Sequence, residues 1–226
     1  MDKLYLYLNI FTISLPFILS FDKKVAFYKS WKYLFPAIMI MAVVFIGKDA
    51  IFTYYGIWAF NDAYLIGIRI LGLPFEEWLF FFTVPYASVF IYACLVAYLK
   101  VDPLKNFHRP FLYILSFVLI VTGLLYYNRL YTSIIFIATA LLTLYNLRTR
   151  QPWLSMFLLS FFVSMIPFFL INGILTGSFI QEQVVWYDPS QNLNIRMFTI
   201  PIEDSIYNLM MLMMTVQLIE WFRKKY

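Results

Sequence analysis

One motif occurs twice in this chain, and the duplication constrains the fold more than any other feature. Ile68-Arg69-Ile70-Leu71-Gly72-Leu73-Pro74-Phe75-Glu76-Glu77 recurs 127 residues later as Ile195-Arg196-Met197-Phe198-Thr199-Ile200-Pro201-Ile202-Glu203-Asp204. In both copies Arg precedes Pro by five residues, and Pro-x-Glu-acid opens a long apolar stretch. Upstream, Asp49-Ala50-Ile51-Phe52-Thr53 aligns with Asn172-Gly173-Ile174-Leu175-Thr176 at an offset of 123, and Trp58 aligns with Trp186 at 128. Two copies of one unit, each carrying a carboxylate pair into an apolar protein, indicate a duplicated domain with its chemistry between the halves.

The surroundings of these acids set the class. Hydrophobic residues form 63% of the 226 and charged residues 13%, against roughly 45–50% and 25% in soluble domains. A soluble fold of this size cannot hide so much apolar surface, so the chain reads as an all-α, polytopic membrane bundle. The net charge of +5 is then a matter of topology, not nucleic-acid binding. Cys94 is the only cysteine, which excludes a disulfide framework or thiolate metal site within the chain. Lys3 is the only basic residue before the first apolar segment, which has no small-x-small cleavage signal, so that segment reads as an uncleaved span.

Seven apolar segments are expected, at about 4–20, 33–52, 77–99, 111–127, 130–146, 153–175 and 204–222. With alternating faces, twelve Lys and Arg residues fall on one side and five on the other, while the acids divide three against nine. The positive-inside rule makes the twelve-residue face cytoplasmic, with the N-terminus outside and the C-terminus inside a cell membrane. Residues 1–100 form the first repeat, 101–129 a connector span, and 130–226 the second repeat. Four spans separate equivalent points, so the units enter the bilayer in the same direction, as parallel three-span repeats. Both Pro-x-Glu-acid motifs then lie at the same depth and on the same, non-cytoplasmic side.

Proline suits the start of a helix, which puts Glu76, Glu77, Glu203 and Asp204 in first turns, where the helix dipole favours negative charge. A purely structural use would pair these helix-start acids with Arg69 and Arg196. Against it stands the expense of acids near a bilayer, about 2.5–3.5 kcal/mol each at its centre. Neighbours on a helix are about 100° apart, so one acid of each pair leads the inward face. Following i+4 and i+7 from Glu76 gives Phe80 and Thr83, and from Glu203 it gives Tyr207 and Met210. Glu76 and Glu203 are therefore expected to look into one shared cavity, with Glu77 and Asp204 supporting them. Asp49 and Asn172 either hydrogen-bond the carboxyls or cap a helix. Trp58 and Trp186 serve as interfacial belt residues or as π-faces over a cation. There is no G-x-G, no D-x-x-x-D diphosphate motif and no His pair, so neither a dinucleotide cofactor nor a metal is expected.

Pro74-Phe75-Glu76-Glu77-Trp78-Leu79-Phe80-Phe81, together with Asn172-Gly173 and Pro201-Ile202-Glu203-Asp204, resembles the small membrane lycopene cyclases, whose halves occur as separate subunits or fused. The resemblance covers nearly the whole chain and corresponds to the fused, two-unit form. It implies an acyclic carotenoid substrate, lycopene, whose ψ end groups are cyclised to β-rings without a redox cofactor. With that substrate, the residue reading makes Glu76, Glu77, Glu203 and Asp204 the candidate catalytic groups, and Trp58, Trp186, Asp49, Asn172, Phe80 and Tyr207 the candidate substrate contacts. Other readings are a hydratase acting on the same end group, or a transporter or proton relay built from repeated bundles. Which carboxyl holds the proton, whether one or both ends react, and whether protomers associate are left open by the sequence.

Overall fold

The computed structural model describes residues 3–226. Seven helices account for most of them: α1 (Leu4–Leu19), α2 (Trp31–Tyr54), α3 (Phe75–Tyr98), α4 (His108–Leu125), α5 (Leu130–Arg148), α6 (Leu154–Leu175) and α7 (Ile202–Lys225). Four of these (α3 to α6), together with α2 and the single turn of 3-10 helix leading into it, are long and apolar enough to cross a membrane by length and composition. Helix α1 is shorter, at 16 residues. Helix α7 carries two acids in its first turn and three basic residues in its last, and packs inside the bundle. The helices extend past the apolar segments at the motif ends because the Pro-x-Glu-acid residues belong to the first turns of α3 and α7. Pro74 and Pro201 stand immediately before those turns, where no intrahelical N–H is lost.

The packing repeats as the sequence does. Helix α1 lies on α3 and α5 lies on α7; across the units α2 packs on α7 and α3 on α6. Each half therefore completes the other, with α3 and α7 touching at the centre and α4 laid against α5 and α6. The outer surface is a belt of exposed apolar side chains, including Val43 at 71%, Phe117 at 69% and Ile166 at 74%. Exposure on that scale suits lipid and not water.

Short strands shape the loops at one end of the bundle. Each motif begins with a two-rung hairpin: β2 (Arg69–Ile70) with β3 (Leu73–Pro74), and β5 (Arg196–Met197) with β6 (Ile200–Pro201). In the first, Leu71 and Gly72 both take positive φ, as a tight two-residue hairpin turn requires. The two long loops are joined by β1 (Trp58–Phe60) and β4 (Val185–Tyr187), antiparallel, with Ala59 opposite Trp186 at the centre of the ribbon.

That register corrects the alignment of the two tryptophans. At the 127-residue offset of the main repeat, Trp186 corresponds to Ala59 and not to Trp58. Side chains alternate along a strand, so a shift of one residue reverses the face. Trp58 points inward, 5% exposed, and Trp186 points outward, 47% exposed.

Candidate active site between the repeats

The starts of α1, α3, α5 and α7, the ends of α2 and α6, and the β1–β4 ribbon converge on one cavity. Its volume is about 50 Å³. Glu77 from the first unit and Asp204 from the second face into it together. Parallel insertion of the two units accounts for this meeting, since an inverted repeat would have separated the motifs.

Within each pair the inward acid is the second, not the first. Helix α7 presents Asp204, Tyr207, Asn208 and Met211 to the cavity, at i, i+3, i+4 and i+7, and α3 presents Glu77 and Phe80. Glu76 and Glu203 are fully buried but turn towards their own loops. Glu76 Oε1 accepts from the Ile66 backbone N–H at 2.7 Å, and Glu203 Oε1 accepts from the Leu193 N–H at 2.7 Å and the Thr132 hydroxyl at 2.6 Å. In both units the acid thus holds a loop N–H ten residues upstream. The arginines do not pair with the motif acids either. Arg69 and Arg196 donate to the carbonyls of Gly72 and Thr199, closing their own hairpins, and Arg69 also meets Asp62.

The two inward carboxyls are held differently. Tyr5 Oη donates to Glu77 Oε2 at 2.6 Å, the only hydrogen bond that the Glu77 carboxyl accepts among the described residues. Asp204 receives three: Tyr131 Oη at 2.5 Å on Oδ1, with Tyr187 Oη at 2.7 Å and Asn172 Nδ2 at 2.8 Å on Oδ2. Burial pushes the Tyr187 hydroxyl well above its usual pKa, and the nearby Asp204 charge adds to this, so Tyr187 remains a neutral donor. Three donors on one carboxyl suit its ionised form, whereas a carboxyl with one donor can hold a proton at lower cost.

A second charged pair borders the cavity. Lys48 Nζ meets Asp49 Oδ1 at 2.7 Å, and Tyr207 Oη donates to Asp49 Oδ2 at 2.9 Å. The ammonium lies 4.0 Å from the Tyr207 ring centroid, 4.6 Å from Trp58 and 4.7 Å from Phe52. Asp49 therefore bonds neither motif carboxyl, unlike Asn172. Trp58, Tyr131 and Tyr187 complete an aromatic wall, with the two tyrosine rings stacked 5.9 Å apart and Trp58 edge-on to both.

Of the residues expected from sequence, Glu77, Asp204, Asp49, Asn172, Trp58, Phe80 and Tyr207 line the cavity; Glu76, Glu203 and Trp186 do not. The sequence reading missed Tyr5, Tyr131, Tyr187, Lys48 and Asn208. Tyr5 and Tyr131 carried a usable signal: each lies near the start of its unit, 72 and 73 residues before the acid it serves. Among the described residues no cluster of His, Cys, Asp or Glu is arranged to hold a metal ion. Trp186→Ala should leave product formation unchanged. Trp58→Ala removes a buried wall and should cost about 3–5 kcal/mol of stability, read by thermal unfolding in detergent.

Residues 2–95 and 128–222 each match the lycopene cyclase family, leaving α4 between the matched regions. The chain belongs to that family, in the fused form of its small membrane type. No curated protein and no solved structure matches the chain.

Proposed function

We propose that the cavity cyclises the ψ end groups of lycopene to β-rings by acid–base chemistry alone. The observation that carries this reading is the pairing of Glu77, with one donor, and Asp204, with three, in one aromatic-walled cavity. Lycopene and its cyclised products are isomers, so the reaction balances with one proton given and one proton taken.

Glu77 protonates the terminal double bond. The internal alkene attacks the tertiary cation so formed and closes the six-membered ring. Asp204, held ionised by Tyr131, Tyr187 and Asn172, opposes the positive charge and removes the ring proton that leaves the new double bond. The faces of Trp58, Tyr131 and Tyr207 supply negative quadrupole to the passing cation. Most of the lining residues are buried, which limits capture of that cation by water. The charge bias of the loops supports an N-terminus outside and a C-terminus inside the cell membrane, with the site near the outer face.

Purified protein in liposomes loaded with lycopene, without flavin or nicotinamide, should form β-ring products of unchanged mass. A product heavier by one water would replace cyclisation by hydration. Dependence on added flavin would end the cofactor-independent reading.

A further inference from the structure

A cavity of this size at one end of the bundle cannot hold the long polyene of the substrate. The rest of the molecule must leave through a wall. A second cavity, of about 40 Å³, adjoins the first and shares Phe80, Phe168, Asn172 and Asn208 with it. It runs between α3 and α6, past Val84, Ala87 and Ser88 on one helix and Ser164 and Pro167 on the other. Pro167 and neighbouring Ile166 are exposed on the lipid-facing surface, and Ala87 and Ser88 are half-buried. The hydroxyls of Thr12 and Ser164 are taken by carbonyls of their own helices, Leu8 and Ser160, and the polar Asn172 and Asn208, the latter with an unpaired amide oxygen, stand at the end shared with the carboxylate cavity. Adjoining the carboxylate cavity and reaching the exposed, apolar Ile166–Pro167 surface, this groove has the chemistry of a seat for an extended hydrocarbon.

The internal repeat provides a comparison within the same molecule. At the offsets that relate the units, the α3–α6 contact corresponds to the contact between α7 and α2. There Val84, Ala87 and Ser88 become Met211, Met214 and Thr215, Ser164 becomes Met41, and Ile171 becomes Lys48. Met211, Thr215 and Met41 are fully buried, and Phe45, the counterpart of Phe168, is 1% exposed. Small residues on one side have large, packed counterparts on the other. One contact is a groove and its relative is a filled seam.

We infer that the α3–α6 groove is the single lateral entry and seat of the polyene, so the substrate is fed from the bilayer one end at a time. The inference rests on the reading given under Proposed function. Formation of a second ring then requires the chain to withdraw and return reversed through the same groove.

The test compares Ala87→Trp and Ser164→Trp with Val43→Trp, which adds the same bulk to a lipid-facing position on α2. Each variant is purified into lycopene-loaded liposomes, and ring formation per folded protein is measured by chromatography. The groove variants should lose turnover on the order of 10²-fold, as misplaced reacting groups do, and Val43→Trp should not. Where the tryptophans impair folding, Ala87→Cys in a Cys94→Ala background provides a second measurement. Lycopene in the bilayer should slow its modification by an apolar maleimide several-fold relative to a saturated hydrocarbon of similar size. Wild-type protein that forms no rings would remove the proposed function itself. Wild-type cyclisation with undiminished turnover in both groove tryptophan variants, or with no protection of the thiol introduced by Ala87→Cys, would overturn the groove alone.

Discussion

Glu77→Gln should lower ring formation per folded protein by about 10²–10⁴-fold, the usual loss when a general acid is removed. Glutamine keeps the shape and can still accept from Tyr5, so a loss of turnover with normal folding isolates the proton. Asp204→Asn should fall in the same range for a different reason: Tyr131, Tyr187 and Asn172 would then serve a neutral amide, and no negative charge would face the cation. The comparison that gives these numbers meaning is Glu76→Gln and Glu203→Gln. Those acids secure the loops through the Ile66 and Leu193 N–H groups, and their variants should cost about 1–3 kcal/mol of stability while keeping turnover per folded protein. Turnover lost on replacing Glu76 or Glu203 but retained on replacing Glu77 and Asp204 would reverse the assignment.

Lys48→Met should destabilise the protein by about 3–5 kcal/mol, because it leaves Asp49 as an uncompensated charge in the bundle. The Asp49 side chain is only 2% exposed, and its one remaining protein partner would be the Tyr207 hydroxyl. Lys48→Met combined with Asp49→Asn should recover most of that loss, since a buried pair replaced as a pair is close to neutral. The measurement is thermal or denaturant unfolding of the two single variants and the double variant in detergent. If the losses of the single variants simply add in the double, Lys48 and Asp49 are not coupled and the short contact between them contributes little.

The Lys48–Asp49 pair also marks where the duplication has diverged. Its counterpart in the second unit is Ile171-Asn172, and Asn172 bonds Asp204 because its amide supplies an N–H donor that the Asp49 carboxylate lacks. One unit thus has a carboxyl with three neutral donors, and the other has a carboxyl with one donor beside a charged pair. Two identical copies would have built two similar carboxyls, whereas a reaction that gives a proton and takes one back requires unlike groups.

Class, helix count and the approach of the two motifs were all legible in the residues. They follow from composition, from the spacing of apolar segments and from the parity of spans between copies, none of which depends on packing. The inward acid of each pair was not legible, and Tyr207 shows why. It stands at i+4 from Glu203 and at i+3 from Asp204, so the pattern on α7 is compatible with either phase, and rotation by one residue, about 100°, exchanges their roles. The choice comes from loops that bind Glu76 and Glu203 through backbone N–H groups, and a backbone donor has no signature in sequence. The outward turn of Trp186 has the same origin, because strand register depends on the partner strand and a slip of one residue reverses every side chain. Tyr5 and Tyr131 stand at similar distances before their acids, but a hydroxyl more than 70 positions from its carboxyl becomes a partner only when α1 packs on α3 and α5 on α7. Periodicity and repetition therefore determined the membrane bundle and the place where its halves meet. Helix rotation, strand register and the filling of one seam with methionine, which arise from contacts between distant segments, decided which groups line the cavity and which helix contact is left as a groove beside it.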